Sequence, residues 1–287
     1  MLGKLTVVLL MLLLVWGNVV AGIGAGLACP DWPLCYGSVL PPLRWDIVME
    51  TGHRLLAAVT GVALIALCIH RALRWRGWSR LVPALLLGLL VLQIFLGAVV
   101  VLLEIPVREV TLHFAVAVSM FVLTLYVAHF DGRRFVPIFS LSSLSGPLFV
   151  LGLLVVAQSV LGAYVRHSGA AMACGAQFPT CLGYVVPPTL EGGVLNHFLH
   201  RLGAYLLLLY TLALSMASVF HAALRPFRAP LFSALALVLV QVGVGAGVVF
   251  SRADVGAVAL HLVVALVFMA VVFDAWFRSM EVEAGVV

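Results

Sequence analysis

Two short stretches concentrate the residues able to do chemistry. Glu50-Thr51-Gly52-His53-Arg54 stands near the start of a long apolar run, and His197-Phe198-Leu199-His200-Arg201 repeats its His-Arg pair 147 positions later. A further histidine follows each stretch, His113 after the first and His261 after the second. Neutral imidazole is the commonest protein ligand for a metal, and polar side chains inside membrane-grade sequence are costly and usually functional. Four histidines in two matched pairs therefore predict two sites built alike. Glutamine keeps the same register: Gln93 precedes His113, and Gln241 precedes His261, by 20 residues, each glutamine being followed four later by a glycine (Gly97, Gly245).

The elements that must position these groups are apolar. The chain has 287 residues, 64% hydrophobic and only 9% charged, with a mean hydropathy of +1.21. Soluble domains are nearer a quarter charged, so this composition excludes them. A pI of 9.2 would admit nucleic acid, but the basic residues punctuate the gaps between apolar runs and cluster on no polar face, so nucleic acid is not an expected partner. Eight runs are long enough for a hydrocarbon core, near 5–27, 47–70, 81–103, 108–130, 146–166, 194–221, 230–250 and 255–277. One set of connections holds Lys4, Arg71, Arg74, Arg76, Arg80, Arg133, Arg134, Arg225, Arg228 and Arg278. The opposite set holds Arg44, Arg54, Arg108, Arg166, Arg201 and Arg252. This excess places both termini in the cytoplasm of a cell-membrane protein. The first run exceeds a signal peptide's apolar core and has a partner at 146–166, so it is expected to be a retained helix.

Five cysteines include two close pairs, Cys29/Cys35 and Cys174/Cys181, and a lone Cys68 that fits a buried packing role. Both paired loops face outward in this topology, where a disulfide within each pair is the expected state. Zinc is the rival, weakened because neither loop offers a nearby histidine. The pairs also belong to a repeat: Cys29 maps to Cys174 at 145 positions, His53-Arg54 to His200-Arg201 at 147, and Gln93 and His113 to Gln241 and His261 at 148. The fold expected is all-α and integral to the membrane, with eight transmembrane helices forming two duplicated four-helix bundles, 1–140 and 141–287.

Facing helices of a bundle can offer two axial nitrogens to a tetrapyrrole iron. The expectation is one bis-histidine haem site per half, His53 with His113 and His200 with His261. The bland reading, a hydrogen-bonded interhelical histidine, suits one histidine better than four at duplicated spacing. His70, His129 and His221 lack counterparts and suit helix ends, while His167 is left open. Haem propionates call for arginine; Arg166 at an outer helix end is well placed, and Arg54 and Arg201 could reach a propionate or hold a carboxylate. The halves differ three residues before the helix-opening histidine, where Glu50 stands against His197. A carboxylate on the face of His53 can act as a base or stabilise positive charge, which marks the first half as the reaction site. Its plain alternative is an ion pair with Arg54 or with an outer-loop arginine.

As a set these residues resemble the haem A synthase family over the whole chain. The resemblance rests on Cys-Pro-Asp-Trp-Pro-Leu-Cys (29–35), Glu50-x-x-His53-Arg54, Gln93 with His113, His200-Arg201, and Gln241 with His261. It implies oxidation of the C8 methyl of haem O, through a hydroxymethyl haem, to the formyl group of haem A used by terminal oxidases. It further implies a substrate site of His53, His113 and Arg54 beside Glu50 and the Cys29/Cys35 loop as catalytic groups. A resident haem b would be held by His200 and His261, with Arg166 and Arg201. One departure stands out: the family's first helix commonly carries a Thr-Arg pair where this chain reads Val20-Ala21-Gly22-Ile23-Gly24-Ala25-Gly26.

The chemistry so implied is that of an oxidoreductase acting on a CH group, with water as the oxygen source and Glu50 activating it. Implied partners are a haem O synthase and terminal oxidase assembly proteins, and the Gly243-x-Gly245-x-Gly247 face leaves a homo-oligomer open. A dihaem b-type protein passing electrons from a quinone explains the histidines but not Glu50. A transporter suits duplicated halves but not ligand-grade histidine pairs.

Overall fold

The computed structural model describes residues 1–39, 41–130, 142 and 144–284. Among them are eight helices long and apolar enough to cross a membrane, as expected where no water can satisfy an open backbone. They are α1 (Leu2–Gly22), α2 (Trp45–Arg74), α3 (Leu81–Leu102), α4 (Val107–His129), α5 (Ser145–His167), α6 (Gly192–Phe220), α7 (Arg228–Phe250) and α8 (Val255–Glu283). The protein is an all-α integral membrane protein. Arg133 and Arg134, counted in the charge asymmetry, and the 140/141 boundary lie outside the described residues.

Contacts divide the chain into two compact units, Met1–Ile138 and Phe139–Val287. In the first, α1 packs on α2 and α4, and α3 packs on the same two, closing a four-helix ring. In the second, α5 packs on α6 and α8, and α7 closes the ring between them. Short connections make consecutive helices antiparallel neighbours.

Local chemistry sets the helix ends. The expected first span ran to residue 27, but α1 stops at Gly22, because Gly24 takes a left-handed φ of +73° and a short 3-10 turn, Ala25–Leu27, follows. Pro83, Pro147 and Pro230 fall in the first turns of α3, α5 and α7, where a missing N–H costs no hydrogen bond. Asp254 caps α8 by accepting from the N–H groups of Gly256 (2.9 Å) and Ala257 (3.2 Å), a device typically contributing about 1 kcal/mol. α8 runs to Glu283, beyond the 277 expected, and the Glu283 carboxylate accepts from the backbone N–H and hydroxyl of Ser145 at the start of α5.

Each cysteine pair is joined by a disulfide, Cys29–Cys35 and Cys174–Cys181, which sets the zinc reading aside. Both loops close through a two-residue turn with positive φ at its centre, Tyr36-Gly37 and Leu182-Gly183, flanked by paired backbone bonds between Cys35 and Ser38 and between Cys181 and Tyr184. Positive φ at both central residues is the hairpin-turn geometry, and glycine at the second takes it without steric cost. Cys68 is free and fully buried.

Candidate functional site

In the first unit, α2 carries Glu50, His53 and Arg54, α4 carries His113, and α3 carries Gln93. Nε2 of Gln93 lies 3.1 Å from Nε2 of His113, so the Gln93 amide donates to that ring nitrogen. Glycines press against both rings. An ideal Cβ on Gly17 of α1 would stand 2.8 Å from Cε1 of His53, and one on Gly97 of α3 would stand 3.4 Å from Cε1 of His113. Trp16 donates its indole N–H to the Met49 carbonyl (3.0 Å) beside them, fixing α1 on α2.

Glu50 is buried, and its carboxylate meets Arg54 one turn on, Nε to Oε1 at 2.8 Å. The partner of Glu50 is thus the i+4 arginine, the ion pair named above as the plain alternative. Arg54 itself is turned into the cysteine loop. Its Nη1 donates to the carbonyls of Asp31 (2.7 Å) and Leu34 (2.6 Å), and Nη2 reaches Cys29 O at 3.4 Å. With four of its five N–H donors so engaged, Arg54 ties the disulfide loop to the helix that bears His53. The loop is braced again by Asp31, which accepts from the N–H of Tyr36 (2.6 Å) and of Gly37 (2.7 Å). The Gly37 N–H foremost, and that of Tyr36, hold the Asp31 carboxyl below its ordinary value.

The second unit uses the same parts. α6 carries His197, His200 and Arg201, α8 carries His261, and α7 carries Gln241. Nε2 of Gln241 lies 3.2 Å from Nε2 of His261 and donates to that residue's carbonyl at 3.0 Å. Cβ atoms on Gly162 and Gly245 would stand 2.8 Å and 3.1 Å from Cε1 of His200 and His261. Gly245 thus serves a ring within its own unit, whereas a Cβ on Gly243 or Gly247 would meet open space. Arg201 donates from Nη1 to the carbonyls of Gln177 (2.8 Å) and Thr180 (2.6 Å), as Arg54 does across its own loop. His197 takes the place of Glu50: Arg201 Nε lies 3.2 Å from its Nε2 and Cys174 N lies 3.4 Å from its Nδ1, of which a neutral imidazole accepts at one. Nη2 of Arg201 is buried without a partner, the arrangement an anionic group would satisfy. Arg166 and His167 form the last turn of α5, both half-buried.

The residues fit a haem. All four imidazoles are half-buried, their rings backed by glycine. Nδ1 of His53, His113 and His261 is buried without a hydrogen-bond partner, a state costing about 1–3 kcal/mol per group unless something binds there. The rings of His200 and His261 have centroids 6.5 Å apart. An ion held between two imidazoles by bonds of about 2 Å each sets the centroids about 6 Å apart. Two protein ligands per site suit a metal whose other ligands come from a macrocycle.

Comparison with known proteins agrees with this geometry. A family model described as cytochrome oxidase assembly protein matches residues 46–273. A heme A synthase of Symbiobacterium thermophilum is 34% identical over 250 residues, covering 83% of this chain and 81% of the relative. The chain belongs to the haem A synthase family. Other haem A synthases agree: that of Halalkalibacterium halodurans is 30% identical, covering 93% of this chain and 92% of its own. That of Bacillus licheniformis is 28% identical, covering 91% and 89%. The sequence reading did not single out Gly17 and Gly162, which press on the His53 and His200 rings, or Gln158, whose amide meets His200. Gly17 and Gly162 share the 145-residue offset of the cysteines and could have been found from it. Gln158 carried a weaker signal, an amide inside an apolar run.

Proposed function

We propose that this chain converts haem O to haem A by oxidising the C8 methyl group to a formyl group. The observation that carries the reading is the pair of like-built imidazole sites, only one of which has a buried carboxylate at its side. His53 and His113 hold the iron of the substrate haem O, and His200 and His261 hold haem b. When bound, haem b supplies one-electron transfer. Arg201, with an uncommitted Nη2, and Arg166 take the propionates of that haem. Arg54 acts instead through Glu50 and the Cys29–Cys35 loop.

The reaction adds oxygen from water in two rounds. In the first, CH3 and water give CH2OH, with two protons released and two electrons passed to an external electron acceptor. In the second, CH2OH and water give CH(OH)2 with the same release, and loss of water leaves the aldehyde. Arg54 engages Oε1 of Glu50, and the second carboxylate oxygen is the acceptor for a proton of the attacking water. The protein sits in the cell membrane with both termini cytoplasmic and the disulfide loops on the outer face, between a haem O synthase and the assembling terminal oxidase. Expression in a host supplying haem O, followed by extraction and mass spectrometry of the haems, tests the reading. Haem A or its hydroxymethyl precursor beside haem B is expected. Haem B alone, two per chain, would overturn it in favour of electron transfer.

A further inference from the structure

The equivalent seams of the two units, α2–α3 and α6–α7, are filled differently. Arg54 and Arg201 both turn into their disulfide loops, and the residues four and seven further on share that helix stripe. They are Ala58 and Gly61 on α2, but Tyr205 and Leu208 on α6. The Tyr205 ring lies against its loop, its centroid 6.4 Å from that of Phe178 and its hydroxyl donating to the Pro179 carbonyl at 3.4 Å. Ala58 offers only a methyl group there, and a Cβ on Gly61 would meet Cδ1 of Leu90 at no closer than 3.9 Å. On the facing helices, Leu90 is half-buried and Ile94 exposed, whereas their counterparts Val238 and Val242 are fully buried and half-buried. Further along the second seam, the buried Ser215 hydroxyl donates across to the Leu231 carbonyl at 3.0 Å. Cys68 stands in the place of Ser215 on α2.

Lipid is as apolar as leucine, so transmembrane helices are held by close packing and interhelical hydrogen bonds rather than by the hydrophobic effect. The second seam has both. In the first, small residues replace bulky ones and a thiol, a weak donor, replaces the hydroxyl. Parting α2 from α3 therefore costs less than parting α6 from α7. Ala58 and Gly61 lie about one and two turns along the helix from His53, so a gap there leads from lipid to the first unit's site. A substrate must arrive and its product must depart, whereas a cofactor stays. We propose that the α2–α3 seam is the lateral opening by which the first unit takes its haem, a flat and largely apolar ring, from the bilayer and returns the product to it. Tyr205, Leu208 and Ser215 close the same path in the second unit, which keeps its haem. This rests on the reading that each unit takes one haem.

The test uses the full chain in lipid nanodiscs, loaded with haem B as the probe in both sites and mixed with excess apomyoglobin, following haem transfer by absorbance. Two phases are expected, and His200→Ala assigns the slow one by abolishing it. Ala58→Tyr/Gly61→Leu, which copies the second unit, should slow the fast phase about tenfold or more. An opening governs entry and exit alike. Uptake of haem B by the apo chain should therefore slow by the same factor, with the final haem-to-protein ratio unchanged; a lower ratio with unslowed transfer would overturn the assignment. The converse variant Tyr205→Ala/Ser215→Ala should speed the slow phase roughly tenfold, and it decides the matter if the first variant does not fold. Unchanged phases in both variants would overturn the seam as the route while leaving two haem sites intact. A chain that takes up no haem, or only one, would instead overturn the parent reading and this inference with it.

Discussion

Replacing Arg54 by methionine separates its two roles, neutralising Glu50 and holding the cysteine loop. Glu50 is only 5% exposed, so losing its partner leaves an uncompensated buried carboxylate, a change that costs about 3–5 kcal/mol. The carbonyls of Asp31 and Leu34 also lose a charged donor, but the exposed loop can rehydrate, so the total stays near ~4 kcal/mol. The equivalent change at Arg201 removes two carbonyl bonds as well, yet strands only a neutral imidazole, His197. That predicts a smaller loss of about 1–3 kcal/mol. The double variant Glu50→Gln/Arg54→Met should regain about 2 kcal/mol over Arg54→Met, because no charge is left unpaired. Denaturation in mixed micelles, followed by helical circular dichroism and by amide exchange in peptides of each unit, measures all three. If Arg54→Met costs no more than Arg201→Met, and the added Glu50→Gln brings nothing back, the buried ion pair does not hold this site together.

Other outcomes follow from the same geometry. Glu50→Gln should retain normal haem content but lose most formyl product, read by haem extraction; full formyl yield would remove Glu50 from the chemistry. Gly17→Ala and Gly162→Ala each force a methyl group against an imidazole 2.8 Å away. Overpacking costs about 1–3 kcal/mol, so each variant should lose haem from its own unit, whereas Gly243→Ala and Gly247→Ala should leave the haem-to-protein ratio unchanged. The Asp31 carboxyl is held below its ordinary 3.8 by the Gly37 and Tyr36 N–H groups. Its contribution is therefore complete above that value and lost as pH falls through the lower, folded one. Amide exchange at Tyr36 and Gly37 should accelerate in that acid window, relative to an Asp31→Asn reference that lacks the transition.

The residues themselves determined the helices. Eight apolar runs have no alternative in hydrocarbon, because only a helix or a closed barrel satisfies its own backbone there, and the runs are too long and too evenly apolar for strands. Spacing also singled out the candidate groups, since His53, His113, His200 and His261 keep matched intervals with Gln93 and Gln241. The cysteine pairs were legible for a different reason: sequence separations of six and seven close a loop that a disulfide can span.

What the sequence could not decide was the rotation of each helix. A membrane helix is apolar towards lipid and towards its neighbours alike, so periodicity does not say which face turns inward. The contact of Gly17 with His53 joins α1 to α2, and that of Gln158 with His200 joins α5 to α6; both exist only once the helices have settled against each other. The fate of Glu50 was undecided for a related reason. Spacing of three and of four both place a partner on its face, and the cysteine loop settled the choice by drawing Arg54 to its carbonyls, leaving Nε aimed at the carboxylate. Residue types and intervals thus named the groups in this protein, and the packing of helices with no polar face to guide them determined which groups touch.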